Sequence, residues 1–380
     1  MGQGNDEDDA NQYTFSEGVP STSSSSKLMK KEADNSQLPW DVLDIIYKKL
    51  DFDDLFRFAG VCKNWRTFHK VHWRNLMVSQ APLLVLKSSF AKKDYFFVSI
   101  SEQKVYRSKL DYFWGLSYSG ISSGYLIMAG ANKLLLMNPF TGRKKVISTL
   151  AIQGNLHYKC IKPLLAFAKG SEEFIIVVLC KKFYSLHIYQ SRHSCWVTYS
   201  TRGNPWKVVD FVVLNNTLYA LIEEGKIGVL SLNSASLRFL ELKNTPSVNS
   251  TRLKLVSSDG QLLVVHFENT RRLGRKMDMY KIDLYTMEWT SLDTLGDLAL
   301  FYSEDTNCYA LSNPRRWGYE SNSLYYISAP LQTCIVYSGN NRLRKFIGPS
   351  GLKPPPRSRF YWLDWCFPHL HDEVDYSLIQ

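Results

Sequence analysis

No stretch of about eighteen apolar residues occurs in this sequence, which excludes a membrane-spanning helix. The amino terminus, MGQGNDEDDANQ, lacks the basic start and apolar run of a secretory signal and the arginines of a transit peptide. Asp6 stands where an acylation signal needs Ser or Thr. No two of the seven cysteines have C-x-x-C spacing, and most lie inside apolar, strand-like runs. Free, buried thiols in a reducing compartment are therefore expected, which places the chain in the cytoplasm, the nucleus or both. No glycine-rich phosphate loop is present, and no nucleophile elbow is expected. Cys366, His369 and His371 lie close in sequence but lack a fourth ligand, so no metal and no other cofactor are expected. Glu172-Glu173 and Glu223-Glu224 are paired carboxylates, but adjacent residues on a strand point to opposite faces, and solvated strand ends or turns explain them better than acid–base catalysis. The chain is read as non-catalytic.

What the chain does contain is aromatic and basic. It has 22 Tyr and 20 Phe in 380 residues, which favours strands for the bulk. The net charge is +11, unevenly placed: residues 1–36 carry −4, residues 37–80 carry +2 and the remainder +13. A basic large domain suits an acidic partner surface or nucleic acid; the plain alternative is a dispersed, solvated charge. Residues 1–36, with the DEDD run and Ser23–Ser26, bury too little to order themselves and read as a disordered tail.

Residues 37–80 read as a helical module. Pro39 suits a first helical turn, where its missing N–H costs nothing. Asp41 sits near that end and Lys48 and Lys49 near the other, as the helix dipole prefers. Val42, Ile45, Ile46 and Leu50, with Leu43 beside them, make one apolar face. Asp51 and Asp53 restart the chain as N-caps, and Leu55, Phe58, Val61, Cys62, Trp65, Phe68 and Trp73 form a second series. About forty residues rarely stabilise themselves without disulfides, metal or a partner. A partner helix laid on the spare apolar surface is the simplest remedy.

Leu38-Pro39, Val42-Leu43, Ile46, Leu50, Asp54-Leu55 and Val61-Cys62-Lys63-x-Trp65-Arg66 resemble the F-box in order and spacing, with Phe52 where that family usually has proline. The resemblance implies docking on a Skp adaptor and, through it, on a cullin-based ubiquitin ligase. The residues it assigns to that contact are Leu38, Pro39, Trp40, Val42, Leu43, Ile46, Leu50, Leu55, Val61, Cys62 and Trp65.

After Ala81-Pro82 the pattern changes to short β-rich runs separated by turn residues. Four of them share a hairpin: LLLMNPFTGRKK, SLHIYQSRHSCW, VLSLNSASLRF and YKIDLYTMEW. In three, an Asn or Asp precedes Thr or Ser by three residues (Asn138, Asn233, Asp283), placed to bond the turn backbone. In three, an aromatic follows six residues after the turn start: Trp196, Phe239 and Trp289. The turn starts lie 43 to 52 residues apart, a propeller-blade period. Residues 81–348 are expected to form a β-propeller of about six blades, one of them degenerate around Asn307–Ser328. A β-sandwich pair is the alternative. Neither the WD dipeptide nor a kelch double glycine marks this β-rich part.

An F-box followed by an aromatic-rich β domain closing with Tyr361-Trp362-Leu363-Asp364-Trp365-Cys366 is similar to plant F-box proteins carrying the domain of unknown function 295. That resemblance implies a substrate receptor holding an unidentified target protein. Residues 349–380 read as a proline-rich spacer and an aromatic segment that packs back on the propeller. Two basic loops are candidate partner sites: Arg271, Arg272, Arg275 and Lys276, and Arg315-Arg316-Trp317, which sets cations beside an aromatic. For both, an exposed hairpin tip is the plain alternative. The rival function is a basic propeller binding nucleic acid or another acidic partner without a ligase role.

Overall fold

The computed structural model describes residues 38–374 except 51, 79, 90–92, 111–114, 153–160, 170, 200–206, 233–235, 248–252, 269–275, 304–305, 329–332, 340–341, 348–359 and 369–371. The chain divides into a unit ending at Pro39 and one running from Trp40 to Gln380. In the first, Leu38 and Pro39 are described and both are exposed.

The second unit opens with α1 (Trp40–Lys49), α2 (Phe52–Val61) and α3 (Lys63–Val78). The second apolar series is thus two helices. Cys62 belongs to neither, and its carbonyl accepts the Arg66 N–H at 3.0 Å, opening the hydrogen-bond ladder of α3. Leu43 and Tyr47 of α1, Leu55 and Phe58 of α2, and Phe68 and Trp73 of α3 point into one core.

Six sheets of four or five strands follow. The first holds β1 (Leu83–Ser88), β2 (Asp94–Ser99) and β3 (Lys104–Lys109). The second holds β4 (Ser117–Ser122), β5 (Tyr125–Ala129), β6 (Lys133–Met137) and β7 (Lys144–Ser148). The third holds β8 (Ile161–Ala168), β9 (Phe174–Cys180), β10 (Ser185–Gln190) and β11 (Cys195–Tyr199). The fourth holds β12 (Val208–Leu214), β13 (Thr217–Ile222), β14 (Ile227–Leu230) and β15 (Leu237–Phe239). The fifth holds β16 (Leu253–Ser258), β17 (Gln261–Glu268), β18 (Lys276–Asp283) and β19 (Glu288–Leu292). The sixth holds β20 (Leu298–Ser303), β21 (Cys308–Ser312), β22 (Ser323–Ser328), β23 (Thr333–Ser338) and β24 (Leu343–Ile347). Two further strands, β25 (Phe360–Cys366) and β26 (Glu373–Val374), end the described chain and join the first and third sheets.

These sheets are the blades of a six-bladed propeller, as the repeat period predicts. Six apolar clusters fill the six interfaces between neighbouring blades. Alternate residues of one strand serve opposite interfaces. In β1, Leu83 and Val85 face the second blade while Leu84 and Leu86 face the sixth. In β5, Leu126 and Met128 face the first blade while Ile127 and Ala129 face the third. Both faces are buried, so the runs are continuously apolar rather than alternating.

The aromatic C-terminal segment does more than pack on the propeller: it is a strand of it. β25 pairs antiparallel with β1 and is the innermost strand of the first blade, with Leu84 opposite Trp365 and Leu86 opposite Trp362. One blade thus draws strands from both ends of the β domain, which closes the ring. The chain then reaches the third blade, where β26 runs parallel to β8 and Val374 is fully buried.

The repeated hairpin is the outer pair of strands in blades two to five: β6–β7, β10–β11, β14–β15 and β18–β19. Asn138 accepts the N–H groups of Phe140 and Thr141, each at 2.9 Å. Asp283 accepts those of Tyr285 and Thr286 at 2.8 and 3.0 Å. Asn233 lies outside the described residues. Asn138 is fully buried, so Asn138→Ala strands two N–H groups. It is expected to cost about 1–3 kcal/mol, read as a lower urea midpoint at unchanged m.

The sixth blade is irregular in the region expected to be degenerate. β21 folds back inside β20, and the chain returns through a 3-10 turn, Pro314–Trp317, to lay β22 parallel to β20. Gly318 ends that turn at φ 75°, and a Cβ there would meet Ser101 Cβ at 2.6 Å, so only glycine fits.

Candidate functional site

The helices carry two apolar surfaces. One is spent inside the molecule: Leu43, Tyr47, Leu55, Phe58, Phe68 and Trp73 share a core with Leu83, Val85, Phe97 and Phe140 of the first two blades. Leu43 and Leu55, assigned to an adaptor contact by resemblance, are 0% and 3% exposed. They hold the helices together and offer no area to a partner. The propeller therefore covers part of the surplus that the helices alone leave bare.

The other surface is open. Trp40, Val42, Ile45, Val61 and Val71 are large apolar side chains left exposed, between 38% and 60%. Val42 and Ile45 are three residues apart on α1, on the side opposite Leu43 and Tyr47. Cys62 is exposed as well, and Ile46, Leu50 and Trp65 are half-buried. Ile45 belongs to the apolar stripe read from the sequence but not to the residues assigned by resemblance, and Val71 belongs to neither.

This open surface is held rigidly from behind. Trp40 donates its indole N–H to Asn64 Oδ1 at 3.2 Å and meets Phe68 edge-on at 5.6 Å. Trp65 lies against Phe58 at 4.4 Å. Tyr47 OH and His69 Nδ1 are 2.8 Å apart in the core. Burial, assisted by the Arg143 charge, pushes His69 down to about 4, so it stays neutral at ordinary pH.

The propeller channel holds the second candidate group. Lys162 of β8 reaches across to Asp210 of β12, both almost wholly buried, and also donates to the Phe211 carbonyl at 3.3 Å. Burial alone would raise the Asp210 carboxyl. Lys162, Lys254 and the Leu255 N–H hold it below the usual range. Burial lowers Lys162. Asp364 of β25 accepts from Tyr118 OH at 3.2 Å, and burial pushes it up to about 7. Sequence reading passed over Lys162 and Asp210. The signal was there: one charge inside each of two apolar runs, IKPLLAFA and VVDFVVL.

A Gly-x-Ser-x-Gly spacing does occur, at Gly120–Gly124, where no elbow was expected. It forms a strand-to-strand turn between β4 and β5, not a strand-to-helix elbow. Ser122 and Ser123 both donate to the Leu165 carbonyl, at 3.2 and 2.7 Å. Their hydroxyls join two blades.

The basic loops fare differently. Arg271, Arg272 and Arg275 lie outside the described residues, as does the Lys276 side chain, although Lys276 begins β18. Arg315 and Arg316 are exposed on the 3-10 turn, and Arg316 lies 5.4 Å from the Trp317 ring centroid. Of the cysteine and histidines considered as ligands, Cys366 is buried and free, while His369 and His371 are outside the described residues.

Comparison with known proteins matches residues 35–68 to the F-box domain and residues 97–343 to the family described as KIB1-4 beta-propeller. The chain is 22% identical to F-box protein At3g56470 of Arabidopsis thaliana, over 79% of this chain and 81% of that one. It is 23% identical to F-box protein At5g25290 of the same plant, over 84% of this chain and 94% of that one. F-box protein At2g26160, also of Arabidopsis thaliana, is 29% identical over 135 residues; the match spans 39% of that relative.

Proposed function

From the premise that this chain belongs to the KIB1-4 beta-propeller family and carries an F-box domain, we propose that it is the substrate-recognition subunit of a Skp–cullin–F-box ubiquitin ligase. The helices dock on a Skp adaptor and the propeller holds the target protein. Ubiquitin transfer is the work of other subunits. This chain supplies proximity, which turns a bimolecular encounter into an effectively intramolecular one.

One observation carries the reading: the helices have a finished core and still expose Trp40, Val42, Ile45 and Val61. Apolar side chains left open on a packed element favour a partner surface. The contact proposed is made by these residues together with Ile46, Leu50, Cys62 and Trp65; Leu38 and Pro39, assigned to it by resemblance, belong to the first unit and are exposed.

Co-expression of the full chain with a Skp adaptor tests this. Val42→Arg with Ile45→Arg is expected to abolish co-purification while leaving the thermal transition within a few degrees of the parent, because both side chains are exposed. Undiminished co-purification of that double variant would refute the proposed contact.

A further inference from the structure

A cavity of about 490 Å³ opens at the channel mouth, among the fourth, fifth and sixth blades. Its walls include Asn215 and Asn216 of the β12–β13 turn, Asp259 of the β16–β17 turn, Trp317 of the 3-10 turn, and Asp372 and Glu373 of the C-terminal segment. Three carboxylates line it and no Lys or Arg does. That is unusual in a part of the chain whose net charge is +13.

Among the described residues none of these carboxylates has an ion-pair partner. The Asp372 carboxyl accepts no hydrogen bond from them either; the Asp372 backbone is engaged, with its carbonyl on Phe167 N–H at 2.9 Å and its N–H on Ser123 Oγ at 3.2 Å. Asp372 also lines a smaller cavity, about 100 Å³, deeper in the channel. Burial pushes its carboxyl up to about 7 against the opposing pull of the more distant Lys162 charge, so a further cation placed beside it would recover the remaining cost of ionising it. Trp317 supplies an aromatic wall, and its indole already carries one guanidinium, that of Arg316.

We propose that this cavity receives an arginine or lysine side chain of the target protein, with Asp259, Asp372 and Glu373 taking its charge and Trp317 stacking on it. The assignment rests on the substrate-receptor reading and names the chemistry that the receptor selects. An acidic anchor has no cationic counterpart in this lining.

The test uses the full chain and two fluorescein-labelled peptides, Ala-Gly-Arg-Gly-Ala and Ala-Gly-Glu-Gly-Ala, followed by fluorescence anisotropy at low salt. The arginine peptide is expected to bind with Kd of about 1 mM or tighter, to weaken as salt screens the charges, and to outbind the glutamate peptide. Asp259→Asn with Glu373→Gln is expected to weaken it about fivefold or more, the equivalent of roughly 1 kcal/mol. Asn tolerates the left-handed backbone at position 259, where φ is 46°, so this variant keeps its fold. Trp317→Leu gives an independent readout of the stacking wall. Equal binding of the two peptides, no binding of either, or parental affinity in the double carboxylate variant would each overturn the proposal. A chain that binds the arginine peptide but never co-purifies with the adaptor would sink the ligase reading and leave the cavity assignment standing.

Discussion

Removing residues 360–380 is expected to unfold the propeller rather than to trim it. The deletion takes away β25, the innermost strand of the first blade, and with it the pairing that joins the end of the β domain to its beginning. It exposes both flanks of the gap: β1 loses its inner hydrogen-bonded neighbour, and the sixth blade loses the aromatic wall packed on Phe301. Trp365 is fully buried there, 4.9 Å from Phe301 and edge-on to it. The single change Trp365→Ala isolates the packing part and is expected to cost about 3–5 kcal/mol. For the truncated chain the expected result is loss of the cooperative urea transition in the full-length form's range. A truncated chain that still unfolds cooperatively, within about 1 kcal/mol of full length, would mean that the ring is closed without this strand.

The second large effect is expected at the buried ion pair. Lys162→Met takes the ion-pair partner from Asp210 in the channel wall and leaves only the more distant Lys254 charge; breaking such a pair from one side costs about 3–5 kcal/mol. The double change Lys162→Met with Asp210→Asn should recover at least half of that loss. It removes the stranded charge, and the Asn carbonyl oxygen can still accept the Leu255 N–H that Asp210 takes at 2.9 Å. Urea melts of the two variants decide it. A double variant no more stable than the single one would overturn the account in which the stranded carboxylate carries the cost.

Much of the architecture was legible because local chemistry repeats. The turn at Asn138 and that at Asp283 carry the same Asx bonding, and Trp196 and Trp289 recur at the same offset from their turns. Those hairpins are the outer halves of blades, where turns are short and residues local. The inner strands were harder to read. Pro163 disguises β8 as a loop, yet is tolerated because over residues 161–166 that strand has a partner on one side only and borders the channel on the other. Ser-rich β4 was obscure because its apolar content is low: Tyr118 and Ile121 are its only large apolar side chains.

The helices show the same division. Apolar spacing places Leu43 and Val42 in one stripe, since both are hydrophobic and adjacent. Only packing separates them: the first two blades cover Leu43, while Val42 stays at the surface.

From the sequence alone came the order of modules, the helical start, the blade period and the match of the helical residues to an F-box. Each depends on residues close together in the chain, whose spacing acts through local backbone geometry. The tertiary structure alone decided which apolar residues remain open to a partner, which strand closes the ring, and which charges meet in the channel. Those depend on pairs such as Leu84 with Trp365 and Lys162 with Asp210, brought together by ring closure across long stretches of chain, and no local pattern encodes where a distant strand will come to rest.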